Sequence, residues 1–479
     1  MKSSRIAYQT PQFALLSATQ KQDIHLATLE VLRRTGVRVF NAEALELLER
    51  AGCTISDGNL VRIPAHLIER AIQTAPPKIT VYSRDGAPAM YLESTHVHYG
   101  TGSDLPNTID LHTHQRRPSL KKDIANAAQV CDTLPHIDFI MSMALPGDVP
   151  IETSDRHSFE AMVTHSTKPI VYTAHDGDGL ADIIEMATLV AGDRETLSQK
   201  PFLILYAEPS TPLQHSQEAL DKLLLIAEHN LPVAYVPGSV TGASTPMTMA
   251  GAIVMSNAEL LSGLLIAQLK RPGTPCVFGS GTGPMDMRTL VAVYAAPEFM
   301  LMTSAMVELG RYYHLPTWGF SGCADAKIFD QQAAIEGAMW SMAAALSGAN
   351  LVHDVGYLES GLTGSLEMLV SMNEAIGMTQ QFMGGIEVSP DTLAVDVIDQ
   401  VGPGGDFLPT DHTYRHYKTY WYPTLMDKQR HAEWEQDGSQ TLGLRANAKA
   451  QEILETHHPT PLAPEVQEGL AAIIARAET

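Results

Sequence analysis

Basic residues are scarce in this chain. It carries 32 Lys and Arg against 54 Asp and Glu in 479 residues, a formal charge of −22. That balance argues against a broad nucleic-acid surface, because affinity for a phosphate backbone rests on Lys and Arg neutralising it. It suits a cationic small ligand or a basic partner, and equally simple solubility. Cysteine is also scarce: Cys53, Cys131, Cys276 and Cys323 lie far apart with no CxxC pair. A disulfide framework and a structural zinc site are therefore not expected, and a reducing cytoplasm is the expected home. Long apolar runs are missing. The N-terminal MKSSRIAYQTPQFALL has no apolar signal core, and the most apolar helix candidate, 251–269, is interrupted by Ser256, Asn257 and Glu259. No membrane span or targeting segment is expected.

What is present is ordinary globular composition, 44% hydrophobic and 18% charged, long enough for one large barrel with additions or for two to three smaller domains. Residues 1–95 read as a mostly helical cap. Leu26, Leu29, Leu32 and Val37, then Leu45, Leu47 and Leu48, recur at helical spacing, with Gly36 and Gly52 as stops. A helix opened by Pro64 over Ile63–Thr74 follows, then β-type runs at Lys78–Ser83 and Met90–Leu92.

Residues 96–383 follow another grammar, in which a short apolar run ends in Gly, Ser, Asp or Pro and an amphipathic helix comes next. The runs are His96–Thr101, His136–Ala144, Pro169–His175, Phe202–Glu208, Pro232–Gly238, Pro275–Ser280, Pro316–Ser321 and Asn350–Tyr357. Eight such units in series predict an α/β fold of the (β/α)8 TIM-barrel type. A doubly wound open sheet would want a glycine-rich phosphate turn after its first strand. GTGSD at 100–104 is not GxGxxG, and GSGTG at 279–283 follows the sixth unit and precedes Pro284. Residues 384–479 are expected to wrap the barrel or a neighbouring copy, with His412–Trp421 as packing aromatics and an amphipathic helix at Pro464–Ala477.

In a barrel, chemistry sits at the C-terminal strand ends. These offer Tyr99, Thr101 and Asp104; His175 and Asp176; Tyr206 and Glu208; Tyr235 and Ser239; Phe278 and Ser280; Trp318, Phe320, Cys323 and Asp325; and His353, Asp354, Tyr357 and Glu359. Aromatics and acids dominate, and Lys and Arg are few, a lining that suits an ammonium group. Metal hydrolysis finds His96-x-His98 in the first run, but the fifth and sixth runs, PVAYVPG and PCVFGSG, supply no further histidine. His112-x-His114 falls in a polar loop. A Schiff-base lysine would have to be Lys327, which reads as a solvated helix opener, and Cys323 reads as structural.

Three later stretches are more specific: Gly322-Cys323-Ala324-Asp325-Ala326-Lys327, Gly356-Tyr357-Leu358-Glu359-Ser360-Gly361-Leu362-Thr363, and VGPGGDFL with DHTYRHY. Together with the opening LATLEVLRRTGVRV and IPAHLIERAIQTAPPKITVYSRDG, they resemble the trimethylamine methyltransferase family of corrinoid-dependent enzymes. The resemblance runs from about residue 15 to the end. It implies transfer of an amine methyl group to the Co(I) of a separate cobalamin-carrying (corrinoid) protein, giving a tertiary amine and methyl-Co(III). The chain itself has no DxHxxG of a cobalamin-carrying domain. The trimethylamine enzymes proper carry pyrrolysine at the barrel mouth, in what corresponds to the Trp318–Cys323 stretch, and this sequence has only standard residues there. Members without pyrrolysine are associated with quaternary amines such as glycine betaine, proline betaine and carnitine-like compounds.

The expected substrate is a quaternary amine, glycine betaine foremost, with dimethylglycine as product. Tyr99, Tyr206, Glu208, Tyr235, Phe278, Trp318, Phe320, His353 and Tyr357 are expected to bind it. Gly279, Ser280 and Gly281 are expected to offer backbone N–H groups at the mouth, where the corrinoid arrives. No side chain is assigned as catalytic and no resident metal is expected. A homo-oligomer without nucleic-acid or membrane partners completes the reading. A metal-dependent barrel hydrolase and a non-catalytic betaine-binding protein are the competing classes.

Overall fold

In the computed structural model, residues 11–479 are described, so the first ten residues of the N-terminal stretch considered above lie outside the described part. All eight apolar runs enter parallel β-structure. Seven form strands, at His98–Tyr99, Ile170–Tyr172, Leu203–Ala207, Val233–Tyr235, Cys276–Val277, Trp318–Phe320 and Leu351–His353. The second run joins through the parallel bridges Gly100↔Phe139 and Ile140↔Ile170. Pairing then proceeds in chain order. Leu203 faces Ile170, Leu205 faces Val233, Val233 faces Cys276, Phe278 bridges Thr317, and Trp318 faces Leu351. Leu351 in turn faces His98, which returns the succession to the first run. Such strands are covered on both faces, which is why the runs are apolar throughout rather than alternating.

A helix follows every run, at Lys121–Thr133, Ser154–His165, Gly177–Ala191, Gln217–Glu228, Met249–Lys270, Pro297–Tyr312, Gln331–Ser347 and Leu366–Met383. Their starts are written locally. Asp176, Ser216, Asp330 and Ser365 each accept a backbone N–H of the first turn, and Pro297 opens its helix at a position where the missing N–H is no loss. The protein is thus a mixed α/β fold.

At the N-terminal end, Ser17 caps the helix Ala18–Arg34 with a full capping box. Val37, expected to continue the helical pattern, instead opens the strand Val37–Val39. Gly36 turns the chain at φ +76°, and Val39 then pairs in parallel with His215. Leu26 is likewise not on the apolar face; it is half exposed. The N-terminal helices Ala18–Arg34, Ala42–Ala51 and Ala65–Thr74 pack on Met249–Lys270. Two small sheets that the sequence did not announce flank the C-terminal strand ends. One joins Asn107–Ile109, Arg116–Pro118, Tyr357–Leu358 and Thr363–Gly364, and the other Val240–Thr241, Gly283–Asp286 and Val291–Ala292.

The C-terminal part returns along the body. Helix Leu442–Thr456 packs on Leu366–Met383 and Lys121–Thr133, and Pro464–Ala477 on Gly177–Ala191. In the stretch before Leu442, Ile386, Val388, Leu408, Tyr420 and Tyr422 stand exposed.

Met249–Lys270 is long and apolar enough to cross a membrane by composition, but 72% of its most apolar window is buried inside the chain. Its polar residues have partners there. The Asn257 amide donates to Thr28 Oγ1 at 3.0 Å and to the Tyr313 hydroxyl at 2.9 Å. Glu259, fully buried, accepts the Leu213 N–H at 2.6 Å through Oε1, whereas Oε2 has no hydrogen-bond partner. Burial lifts its pKa to about 7. The folded state therefore holds this proton more tightly than the unfolded chain, and stability falls as pH rises from about 4.5 through about 7. Glu259→Gln should remove that slope and stabilise the protein above pH 8 by up to about 3 kcal/mol, as denaturant titrations at pH 5 and pH 8.5 would measure.

Candidate active site

Strand periodicity decides which of the expected residues meet. Side chains two apart on a strand share a face, so Tyr206 and Glu208 point one way together, as do Trp318 and Phe320. They converge on His353. Tyr206 stacks on Trp318 with ring centroids 5.1 Å apart and planes at 21°. His353 lies 4.2 Å from the Trp318 ring and 4.3 Å from the Phe320 ring, centroid to centroid, and 6.0 Å from Tyr206. Phe320 is backed by Phe299 at 4.9 Å.

Charge enters this cluster from two sides. The Tyr206 hydroxyl donates to the Glu208 carboxylate. Glu208 keeps accessible surface, yet its pKa is raised by desolvation, with the Tyr206 hydrogen bond and the His353 charge pulling the other way. On the other side, Asp354 is 2% exposed and holds φ at +76°, a conformation that costs a non-glycine residue roughly 1 kcal/mol or more and clusters at functional sites. Its Oδ1 lies 2.7 Å from His353 Nδ1, but off the line of a hydrogen bond. Both His353 nitrogens and Trp318 Nε1 are therefore buried without a hydrogen-bond partner. Buried polar atoms are nearly always paired, so three orphaned nitrogens on two touching rings mark a place where a ligand group is wanted.

The remaining expected residues sit elsewhere. Tyr99 turns outward and donates its hydroxyl to the Ser341 carbonyl at 3.2 Å, in the strand–helix layer. Tyr235 stacks on His215 and bonds its Nδ1 at 2.9 Å. Phe278 packs edge-on to Tyr313. These three leave the ligand-binding set because they lie on the opposite strand face. Tyr357 stays close, its hydroxyl bonded to the Ser103 carbonyl at 2.5 Å.

Gly279, Ser280 and Gly281 are committed to packing rather than offered at the mouth. A Cβ on Gly279 would sit 2.5 Å from Trp318 Cβ, Ser280 is 2% exposed, and the Gly281 N–H already donates to the Pro237 carbonyl at 2.8 Å. Asp176 is a helix cap, Glu359 pairs with Arg116 at 2.7 Å, and Lys327 is exposed with its Nζ on the Asp325 carbonyl. Cys323 is fully buried, and that burial, helped by the charges of Asp354 and Asp325, pushes its thiol well above the ordinary range and away from thiolate chemistry. His96 and His98 lie at the opposite, N-terminal end of their strand, where the Tyr91 N–H donates to His98 Nε2.

Tyr294 has no signal in its local sequence. Its loop is tied down by Asp325, whose carboxylate accepts the N–H groups of Tyr294 at 2.7 Å and Ala295 at 3.0 Å and the Ser360 hydroxyl at 2.7 Å. Trp340 Nε1 donates to the Tyr294 carbonyl at 2.8 Å. Burial raises the Tyr294 hydroxyl pKa, and the charges of Asp354 and Glu208 raise it further, so the phenol stays protonated between the two acids.

With this geometry established, the relatives can be compared. A family model described as trimethylamine methyltransferase matches residues 1–479. The chain belongs to the trimethylamine methyltransferase family. It is 32% identical to a trimethylamine methyltransferase of Desulfitobacterium hafniense over 95% of this chain and 92% of that protein. It is also 30% identical to a glycine betaine methyltransferase of the same species over 97% of both. Among solved structures, the monomethylamine methyltransferase of Methanosarcina barkeri has the same fold at 11% identity, with a TM-score of 0.50 over 92% of this chain and 88% of that one. The stretches around Cys323 and Tyr357 are joined by a parallel bridge between those two residues.

Gly102 tests the site's rigidity. A Cβ there would lie 2.2 Å from both Asp354 Oδ1 and the Tyr357 hydroxyl. Gly102→Ala should displace both groups, lowering stability by about 1–3 kcal/mol in denaturant titration and altering the near-ultraviolet dichroism of the Trp318 cluster.

Proposed function

We propose that the eight runs close as a (β/α)8 barrel whose mouth binds a quaternary amine, glycine betaine foremost, and passes one N-methyl group to the corrinoid of a separate protein. The observation that carries this reading is the cluster of Tyr206, Trp318, Phe320 and His353 with Glu208 on its wall. The uninterrupted succession of parallel pairings supports the barrel, and the glycine betaine methyltransferase among the relatives supports the substrate.

The chemistry asked of these residues is modest. The C–N bond breaks with its electron pair staying on nitrogen, and the methyl group bonds to an electron pair supplied by the acceptor. A quaternary ammonium leaves as a neutral tertiary amine, dimethylglycine in the case of glycine betaine, so no acid has to protonate the leaving group. The protein's task is to hold the N–CH3 bond in line and to keep water out. Ring faces of Tyr206 and Trp318 attract the cation, by about 0.5–2 kcal/mol each, and Glu208 supplies the opposite charge. His353, with both ring nitrogens free of partners, donates to the carboxylate of a betaine.

A barrel hydrolase would need ligands converging at the strand ends, and among the described residues the only convergent metal-type group lies in the C-terminal part. A betaine-binding protein without catalysis would share the cluster but transfer no methyl group. We also read the chain as forming a homo-oligomer, which light scattering on the purified protein tests.

Mixing the protein with cob(I)alamin and candidate amines, and following methylcobalamin absorbance, should give the fastest turnover with a quaternary amine. Faster demethylation of trimethylamine or dimethylamine would overturn the proposal. His353→Ala should raise KM for the betaine by about one to two orders of magnitude, the scale of one lost charge-assisted hydrogen bond. Phe320→Ala should weaken every quaternary amine, with or without a carboxylate.

Affinity for the cation should also depend on pH. Because the Glu208 pKa is raised, its carboxyl ionises only at higher pH, so binding should tighten as pH rises through that value. Glu208→Gln should flatten the profile and weaken binding at pH 8 by roughly tenfold in calorimetric titration.

A further inference from the structure

The short helices between residues 386 and 436 pose a physical problem. Pro390–Leu393, Val395–Val401, Asp411–His416 and His431–Gln436 bury no residue at all. Helices of this length do not stand alone in water, and helical stability in proteins comes mainly from packing. Something other than a core must hold Pro390–Leu393 against Asp411–His416.

A polar cluster occupies that junction. His412 and His416 lie one turn apart on the same helix, which puts both rings on one face, with centroids 4.4 Å apart. His416 Nε2 is 3.1 Å from Asp391 Oδ2, and His412 Nε2 is 3.2 Å from the Asp391 carbonyl oxygen. One ligand-type atom from each of Asp391, His412 and His416 falls within 4.8 Å of the others. Two imidazoles at i and i+4 plus a carboxylate are borderline donors that suit zinc, and a metal joining two small elements contributes its binding energy directly to their order.

We propose that Asp391, His412 and His416 bind one divalent transition metal, zinc foremost, as a structural clamp on the C-terminal part, with solvent completing the coordination. The site is separate from the amine recess and does not rest on the reading of it. Arg415 works against the metal, since its Nη1 lies 3.3 Å from Asp391 Oδ1 and its charge repels a cation.

The full-length chain, stripped with a chelator and dialysed, can be titrated with zinc against a fluorescent zinc indicator while hydrogen exchange of residues 386–422 is followed. The expected result is one zinc per chain with a Kd of about 1 μM or tighter, together with slowed exchange in that segment. The double variant His412→Ala, His416→Ala should lose at least about 100-fold in affinity, since even a supporting group around a metal ligand is commonly worth 10- to 100-fold. Arg415→Gln should tighten binding, whereas in a clamp made of hydrogen bonds alone it would only loosen the segment. His96→Ala with His98→Ala should bind zinc as the wild type does. Wild-type affinity no better than that of the double variant, or zinc that leaves the exchange of this segment unchanged, would overturn the proposal. If the double variant does not fold, Asp391→Asn replaces it, and the wild-type stoichiometry decides on its own.

Discussion

The candidate site depends on keeping polar ring nitrogens inside the protein without pairing them off. An orphaned buried polar group costs roughly 1–3 kcal/mol, and here His353 and Trp318 present three unpartnered nitrogens on touching rings. The surroundings are arranged to hold that state. Asp354 comes within 2.7 Å of His353 but not in line with it, the strand pairing Trp318↔Leu351 and Phe320↔His353 fixes ring height, and the absence of a side chain at Gly279 lets Trp318 pack directly against that backbone. The touching rings of Tyr206, Trp318, Phe320 and His353 hold one another in place.

Much of the architecture was legible in the chain because it is written locally. All eight apolar runs became parallel strand or bridge, and five of the eight following helices begin where a capping residue or a proline stands. Val37 misled because a glycine stop and a β-branched residue were read as the tail of a helix, whereas its partner is Val61 and the next two residues, Arg38 and Val39, pair with Gln214 and His215 some 175 residues later. The two small sheets near the strand ends are built from two- to four-residue strands, too short to show a period.

Side-chain facing was the harder part. Tyr99, Tyr235 and Phe278 have the right residue type at the right strand end, but a shift of one residue sends a side chain to the helix layer. The pairs Tyr206 with Glu208 and Trp318 with Phe320 carried the missing information, since only residues two apart share a wall. Tyr294, and the meeting of Asp391 with His412 and His416, could not be read from local pattern. Their neighbours are brought together by tertiary folding, and no spacing rule links residue 325 to residue 294.

Asp325 also ties together more than one loop. It sits after the seventh run, receives the backbone of the loop after the sixth, and receives Ser360 from the loop after the eighth. Three consecutive rim segments therefore share one carboxylate as their common fastener. A displacement large enough to admit a bulky reactant from above would move all three together, as a single flap hinged on the strands below, and partial opening of any one segment would be resisted by the other two.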